Sequence, residues 1–352
     1  MELKLTRLRP MEFVAENLRD PQTWRNGWGK LLPMWCRGFT TEHVLLFGLN
    51  PSNWRDYPKD ILRYRITLNT NRHVWPVLHD KLVFDGFMKG RLRHVEALFF
   101  IVKGGFHEMP GGLDKKGFLR AAVAGQSFVI KPARGGMGTG LLFVAANEDG
   151  IRVNGEETSC QELGEMLEGL EFHLGYPFVE PHEALRGLFP AAVNTLRVTA
   201  YVGVDGRAAL LTPVLRVGSS ESAPIDNFCK GGLLVEIDPK TGSCVRALRR
   251  NSRGGVESVT HHPESGASLI GLTIPFWQDV RRDILAFHQA CPAFDLVGWD
   301  VLIGPEGYQV IEGNHNPDLR LPLLFRNLSE EAEFRGFMEE RGLIKPEHRK
   351  EG

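Results

Sequence analysis

The sequence predicts an α+β fold dominated by antiparallel sheet, and three observations carry that prediction. Beyond residue 171, apolar runs follow one another as YPFVE, NTLRVTAYVG, RAALLTPVLRVG, GGLLVEID, FDLVGWDVLIG and YQVIEGN, separated by turn residues. One clear helix, PFWQDVRRDILAFHQACP at 275–292, interrupts the series. Upstream, FVIKPARGGMGTGLLFV at 128–144 has two apolar halves joined by a long glycine-rich connection, the pattern of a hairpin. Strands paired through turns and flanked by a few helices point to mostly antiparallel sheet.

The remaining elements follow in order. Residues 1 to about 70 carry Trp24, Trp28, Trp35 and Trp54 among Arg, Pro and Asn, and form an irregular or helical packing unit. Residues 74–103 predict a helix and then a buried strand, and 114–125 another short helix. TSCQELGEMLEGL at 158–170 has helical apolar spacing, with Thr158 or Ser159 as its start. Asp205-Gly206 and the stretch from Asp238 to Gly242 supply turn chemistry between strands.

With 352 residues, 42 Lys and Arg against 43 Asp and Glu, and near-average composition, the chain predicts a soluble globular protein of several subdomains. The balanced charge argues against a general nucleic-acid binder. No run approaches the roughly 18 apolar residues of a membrane helix, and the N-terminus lacks the apolar segment of a signal peptide, so the expected location is the cytoplasm. Five scattered cysteines, Cys36, Cys160, Cys229, Cys244 and Cys291, without a C-x-x-C pair, predict reduced and mostly buried thiols. His261 and His262 fit a polar loop better than a transition-metal site.

The glycine-rich connection is longer than the about two to five residues of an ordinary hairpin loop. Gly135, Gly136, Gly138 and Gly140 remove side chains so that backbone amides can approach a ligand, and Arg134 adds a cation; phosphate is the natural guest, a plain surface hairpin the alternative. A P-loop is excluded because Lys131 precedes the glycines and a strand follows them, and the dinucleotide fingerprint lacks its third glycine.

A second constellation lies in LVGWDVLIGPEGYQVIEGNHNPDLR at 296–320. A hairpin turning at Gly304 to Gly307 sets Asp300 opposite Glu312, with Asn314 on the same face two residues on, at cross-strand separations of about 5 Å. Two carboxylates so close need a compensating cation or shared proton. Asp, Glu and an amide oxygen are hard donors that magnesium accepts, its other positions filled by water and phosphate. A register slipped by one residue sends the acids to opposite faces instead.

Taken together, His79-Asp80-Lys81, FVIKPARGGMGTG, PFVEPH, VNTLRV, VLRVG with DNFCKGG, and GWDVLIG with VIEGNHNP resemble the ATP-grasp superfamily, most closely its sugar-transfer-associated group, over about residues 76–320. The resemblance implies an ATP-grasp fold with nucleotide held between a small flap-bearing subdomain and a larger antiparallel C-terminal subdomain. The expected division is an N-terminal region at 1–75, the small subdomain at 76–180, the C-terminal subdomain at 181–325 and a helical tail at 326–352.

Carried over by position, the resemblance implies that Lys81 and Lys131 contact the nucleotide phosphates under the glycine flap. The segment around Val179 holds the adenine edge by its backbone, and either Glu180 or Glu183 takes the ribose. Arg197 faces the transferring phosphate, with Asn194 assisting. Arg216, Asn227 and Lys230 lie near the reacting carboxylate. Asp300, Glu312 and Asn314 form the metal set, Glu312 bridging two magnesium ions for which manganese can substitute. Roles for His182 and Arg320 are open between substrate contact and capping, and Trp277 and Trp299 are expected in the core.

The function this implies is an ATP-dependent carboxylate–amine ligase acting through an acyl phosphate on an amino acid, peptide or sugar-linked substrate. The alternatives are a kinase for a small-molecule hydroxyl and a catalytically silent nucleotide-binding protein of a polysaccharide pathway. The partners expected are therefore ATP, a small carboxylate and an amine; the sequence leaves oligomeric state open.

Overall fold

The structure, a computed structural model, describes residues 10–60, 69–135, 140–147 and 150–345. The chain divides into two compact units. The large one comprises Met1–Val74, Glu183–Asp300 and Asn314–Gly352, the small one Trp75–His182 and Val301–Gly313. Among the described residues no helix is long and apolar enough to cross a membrane.

The N-terminal region is helical: α1 (Pro10–Arg19), α2 (Pro21–Asn26), α3 (Trp28–Trp35) and α4 (Thr41–Leu46). Asp20 caps α2 through the Gln22 amide at 2.8 Å and Pro21 opens the helix, a position where no amide hydrogen is needed. Phe13, Leu31, Met34, Trp35 and Phe39 form a common core. Trp24 and Trp28 stay outside it, 62% and 50% exposed.

The small unit begins with α5 (Trp75–His79) and α6 (Lys81–Met88) and adds α7 (Lys115–Val123) and α8 (Cys160–Glu168). Ser159 starts α8 with a reciprocal capping box, its hydroxyl 3.1 Å from the Glu162 amide and the Glu162 carboxylate 2.7 Å from the Ser159 amide. Its sheet contains β1 (Phe99–Val102), β2 (Gly105–Glu108), β3 (Phe128–Pro132), β4 (Leu142–Asn147), β5 (Gly150–Val153), β6 (Glu156–Thr158) and β7 (Phe172–Pro177), in the antiparallel order β2-β1-β7-β3-β4-β5-β6.

The hairpin predicted at 128–144 is therefore present, with Phe128 opposite Val144. β7 begins earlier than the YPFVE run and stops at Pro177, because Phe172, Leu174 and Tyr176 supply the alternation that YPFVE suggested. Gly175 has no room for a side chain: an added Cβ would sit 2.0 Å from the Phe99 ring. Phe99, Phe118, Phe128, Leu163 and Leu167 fill the core on that face, while Ala133, Leu174, Tyr176 and Leu82 pack separately.

In the large unit, α9 (Glu183–Arg186) precedes β8 (Thr195–Val202), β9 (Ala208–Leu210), β10 (Val214–Val217), β11 (Leu233–Ile237), β12 (Cys244–Arg250) and β13 (Val256–Val259). Then come α10 (Trp277–Ala290), β14 (Leu296–Gly304), β15 (Gly307–Asn314), α11 (Arg320–Leu323) and α12 (Ala332–Glu340). The second sheet runs β13-β12-β11-β10-β8-β14-β15, with β9 beside β8. The tip of its last hairpin is counted with the small unit.

Trp277 and Trp299 are both buried. Trp299 donates to His288 Nε2 at 2.9 Å, and burial pushes the His288 pKa down to about 3, so this ring is a neutral acceptor. Of the five free cysteines only Cys244 is buried, and burial pushes its thiol up to about 12; Cys36 and Cys229 are exposed because one ends α3 and the other sits in a surface turn.

His94 joins the small unit's own pieces. It forms a parallel bridge to Val310 and lies 3.0 Å from the Leu92 carbonyl and 3.4 Å from Asp85, so carbonyl and carboxylate face its two nitrogens. Burial alone would lower its pKa, but the Asp85 carboxylate outweighs that and raises it above the ordinary 6.5. A raised folded-state pKa contributes stability below the unfolded value and loses it as pH climbs through the folded one. Thermal unfolding followed from about pH 6 to about pH 9 is expected to show a falling midpoint that His94→Gln flattens, and equal slopes in both proteins would count against this assignment.

Candidate functional site

Within the small unit the base of the glycine flap is clamped to the start of α6. Asp80 uses one carboxylate oxygen to cap α6 through the Leu82 and Val83 amides at 3.1 and 3.4 Å, and the other to hold Arg134 Nε at 2.9 Å. Lys81 closes the same joint: its amide donates to the Ala133 carbonyl at 2.9 Å and its Nζ to the Gly135 carbonyl at 3.1 Å. Arg134, expected to offer its charge to phosphate, pairs with Asp80 through Nε alone and keeps its side chain largely exposed. Gly135 and Gly140 have φ of +118° and +73°, in the region that favours glycine. Gly136 and Gly138 lie outside the described residues.

Lys131 points from β3 over the Tyr176 ring, Nζ 4.3 Å from its centroid. Burial, followed by the carboxylates of Asp85, Glu312 and Asp80, drives the Tyr176 pKa far up, so the phenol stays neutral. That influence also marks Glu312 as a neighbour of the Lys131–Tyr176 pair. Val179 and Glu180 follow β7, with Glu180 exposed, and the His182 amide donates to the Ile303 carbonyl at 2.7 Å. Glu183, exposed, opens α9.

The large unit holds a charge cluster built across three strands. On the adjacent strands β10, β8 and β14 stand Arg216, Arg197 and Asp300. Arg216 is opposite Thr195 and Val214 opposite Arg197, so these side chains share one face. Arg197 Nε reaches Asp300 Oδ1 at 2.5 Å, and Arg216 Nη2 reaches Asp300 Oδ2 at 3.1 Å. Both Arg197 and Asp300 are more than nine-tenths buried. Burial favours protonating Asp300, but the charge of Arg197 and then of Arg216 holds its carboxyl below the usual range.

Two residues that the motifs did not single out complete the cluster. Asp226 Oδ2 accepts the Thr195 amide at 2.8 Å and hydroxyl at 2.5 Å, while Asp226 Oδ1 lies 3.4 Å from Arg216 Nε. Arg216 Nη2 also donates to the Thr195 hydroxyl at 2.5 Å. Both lie inside motifs that carry the family resemblance, Asp226 at the head of DNFCKGG and Thr195 within VNTLRV, but neither was given a role there.

The remaining expected residues have defined local partners. Asn227 caps a single helical turn through the Cys229 amide at 2.8 Å, leaving Lys230 exposed at the end of that turn. Asn194 spends its amide on the Leu185 and Phe189 carbonyls and its oxygen on the Gly218 amide, a structural use. Asn314 Nδ2 donates to the Gly298 carbonyl at 3.2 Å. Arg320 is held in ion pairs by Asp318 at 2.7 Å and Glu42 at 2.6 Å. His262 is buried, with Nε2 2.8 Å from the Gly218 carbonyl and Nδ1 accepting the Glu264 and Ser265 amides.

The model of the sugar-transfer associated ATP-grasp family matches residues 62–327. The chain belongs to that family. The comparison with curated proteins gave no match. Among solved structures, this ATP-grasp chain is similar to D-alanyl-alanine synthetase A from Vibrio cholerae, at 13% identity and TM-score 0.43, covering 75% of this chain and 64% of that one. It is also similar to N5-carboxyaminoimidazole synthetase from Staphylococcus aureus complexed with ADP, at 13% identity and TM-score 0.38, covering 69% and 46%. A third is the L-amino acid ligase from Bacillus licheniformis, at 10% identity and TM-score 0.39, covering 74% and 50%. The chain thus spans about half to just under two thirds of those chains.

The family's metal can be tested against the donors present. Asp300 is already neutralised by two guanidiniums, so charge repulsion alone does not demand an ion. The donor types nevertheless fit a hard cation, and a carboxylate oxygen that accepts one hydrogen bond keeps a second lone pair for coordination. Among the described residues no three His, Cys, Asp or Glu side chains gather as an alternative metal site.

Removing the Asp300 charge leaves the buried Arg197 and the part-buried Arg216 with Asp226 alone. Asp300→Asn is expected to cost about 3 kcal/mol in urea unfolding near neutral pH. Because the folded-state pKa of Asp300 is depressed, its contribution is present above the unfolded value and lost as pH falls through the folded one, so the gap between variant and parent should close in acid. A variant as stable as the parent at neutral pH would refute the pairing.

Proposed function

We propose that this ATP-grasp protein is an ATP-dependent carboxylate–amine ligase. The observation that carries the reading is the pair of guanidiniums, the buried Arg197 and the part-buried Arg216, held side by side by Asp300 on neighbouring strands. Paired, preorganised N–H donors suit phosphate and carboxylate oxygens, and phosphoryl transfer asks a protein for positioning and charge compensation more than for covalent help.

On this reading Lys81 and Lys131, with the flap from Gly135 to Gly140, bind the phosphates of ATP. The backbone about Val179 takes the adenine, and Glu180 or Glu183 the ribose. Asp300, Glu312 and Asn314 would hold magnesium, whose chemistry there is to screen phosphate charge. Arg197 offsets charge on the transferring group, and Arg216 and Lys230, beside the turn capped by Asn227, orient the acceptor carboxylate. The carboxylate oxygen attacks the γ-phosphorus, the bond to the ADP oxygen breaks, and an acyl phosphate forms. An amine then attacks the acyl carbon, losing a proton as phosphate departs, and an amide results. Closure of the flap keeps water from the acyl phosphate. The substrate classes favoured are amino acids, peptides and amino sugars.

The reading is tested by ADP release screened across those three classes with magnesium present, alongside Glu312→Gln. Turnover is expected to fall at least about a hundredfold in the variant while its unfolding midpoint holds. Hydroxylamine added to the active mixture should trap a hydroxamate, which an acyl phosphate forms and a phosphorylated hydroxyl does not. Undiminished turnover by the variant would defeat the assignment of Glu312, and absence of hydroxamate would turn the reading towards a kinase.

A further inference from the structure

Asp226 carries no role in the reading above, yet it is buried among the residues that reading depends on. Its backbone is fixed from several sides. An added Cβ at Gly232 would lie 3.0 Å from the carbonyls of Val217, Asp226 and Asn227, so the strand after the turn runs hard against the segment presenting Asp226. The Gly232 amide also donates to the Asn227 carbonyl at 3.1 Å, and Gly231 turns the chain at φ +100°. The carboxylate so presented takes both the amide and the hydroxyl of Thr195 on one oxygen and faces Arg216 Nε with the other. The Thr195 hydroxyl therefore donates to Asp226 and accepts from Arg216 at once.

Two arginines and two aspartates face one another in the cluster. Without Asp226, Arg216 has Asp300 as its one partner among these acids. We infer that Asp226 is a positioning residue for Arg216: through the Thr195 hydroxyl it holds the Nε side of the guanidinium, so that Arg216 shares Asp300 with Arg197 instead of claiming it, and Asp300 keeps capacity for a divalent cation. The inference rests on the proposed nucleotide and metal site and adds a residue to it.

The test is binding, not turnover. ADP binding is followed by calorimetry while Mg2+ is titrated, for the full-length parent, Asp226→Asn, Arg216→Met and the double variant. Asp226→Asn is expected to raise the Mg2+ concentration for half-maximal binding by about tenfold, with ADP affinity at saturating Mg2+ unchanged, and that rise is expected to vanish in the Arg216→Met background. A loss of fold would weaken binding at every Mg2+ concentration and would not depend on Arg216. Thr195→Val, which changes no charge, should raise the Mg2+ requirement by about threefold and serves if Asp226→Asn does not fold. If the parent fails to bind ADP with Mg2+, the proposed function itself falls. If the parent binds but the requirement is unmoved in Asp226→Asn, or rises equally with Arg216 removed, the positioning role is overturned and the nucleotide reading stands.

Discussion

A carboxylate buried in a sheet must be neutralised where it lies, and Asp300 is the place where this protein meets that constraint. Its surroundings follow from it. Arg197 comes from β8 and Arg216 from β10, and Arg216 in turn draws Asp226 and Thr195 into the cluster. Gly298, two residues before Asp300, leaves the space that Arg197 uses: an added Cβ would lie 3.2 Å from Arg197 Cδ and 2.8 Å from Pro317. Apolar side chains of similar volume would in general serve stability as well as or better than such a cluster. Its presence in the core is therefore better explained by what charged groups do for a ligand than by what they do for the fold.

The loop that supplies Asp226 is built to the same standard of rigidity. Ser219 and Ser222 bond each other's backbone, Glu264 takes the Ser220 amide, and His262 reaches in to the Gly218 carbonyl. Asn194 receives the Gly218 amide from the other side. Asn227 then starts the short turn that carries Lys230 outward. The side chains of Ser219, Ser222 and Asn227 are occupied in holding the stretch, which delivers one buried aspartate and one exposed lysine. In the small unit Asp80 does the comparable task with two oxygens, one capping the start of a helix and the other anchoring the flap.

What the sequence disclosed was whatever depended on local pattern. The capping box at Ser159, the hairpin at 128–144 and the strands bearing Arg197, Asp300 and Glu312 are all apolar alternations or short-range cap chemistry. β12 and β13 escaped that reading because their outward faces are charged, and pairs such as Arg246 with Glu236 and Arg249 with Glu257, directly opposite across the ladder, do the work of apolar contact. Asp226 and Thr195 were hidden for another reason. They matter through contacts between segments about 30 positions apart, and nothing in IDNFC or NTLRV separates a buried aspartate and threonine from a turn and a strand start.

The expected compensation of the Asp300 and Glu312 carboxylates by a cation or a shared proton does not by itself call for a metal, because two arginines already pair with Asp300, so the case for a metal rests on donor chemistry and on family membership. The arginines change what that chemistry implies. On the proposed reading, a phosphate group and Asp300 compete for the same guanidiniums, and the ionised Asp300, once relieved of Arg197, would turn its oxygens to a hard cation. Nucleotide and magnesium would then strengthen each other's binding, because each removes a competitor of the other. A site whose acid and bases neutralise each other when alone can stay folded and dry, and its charges become available only when both partners are there to use them.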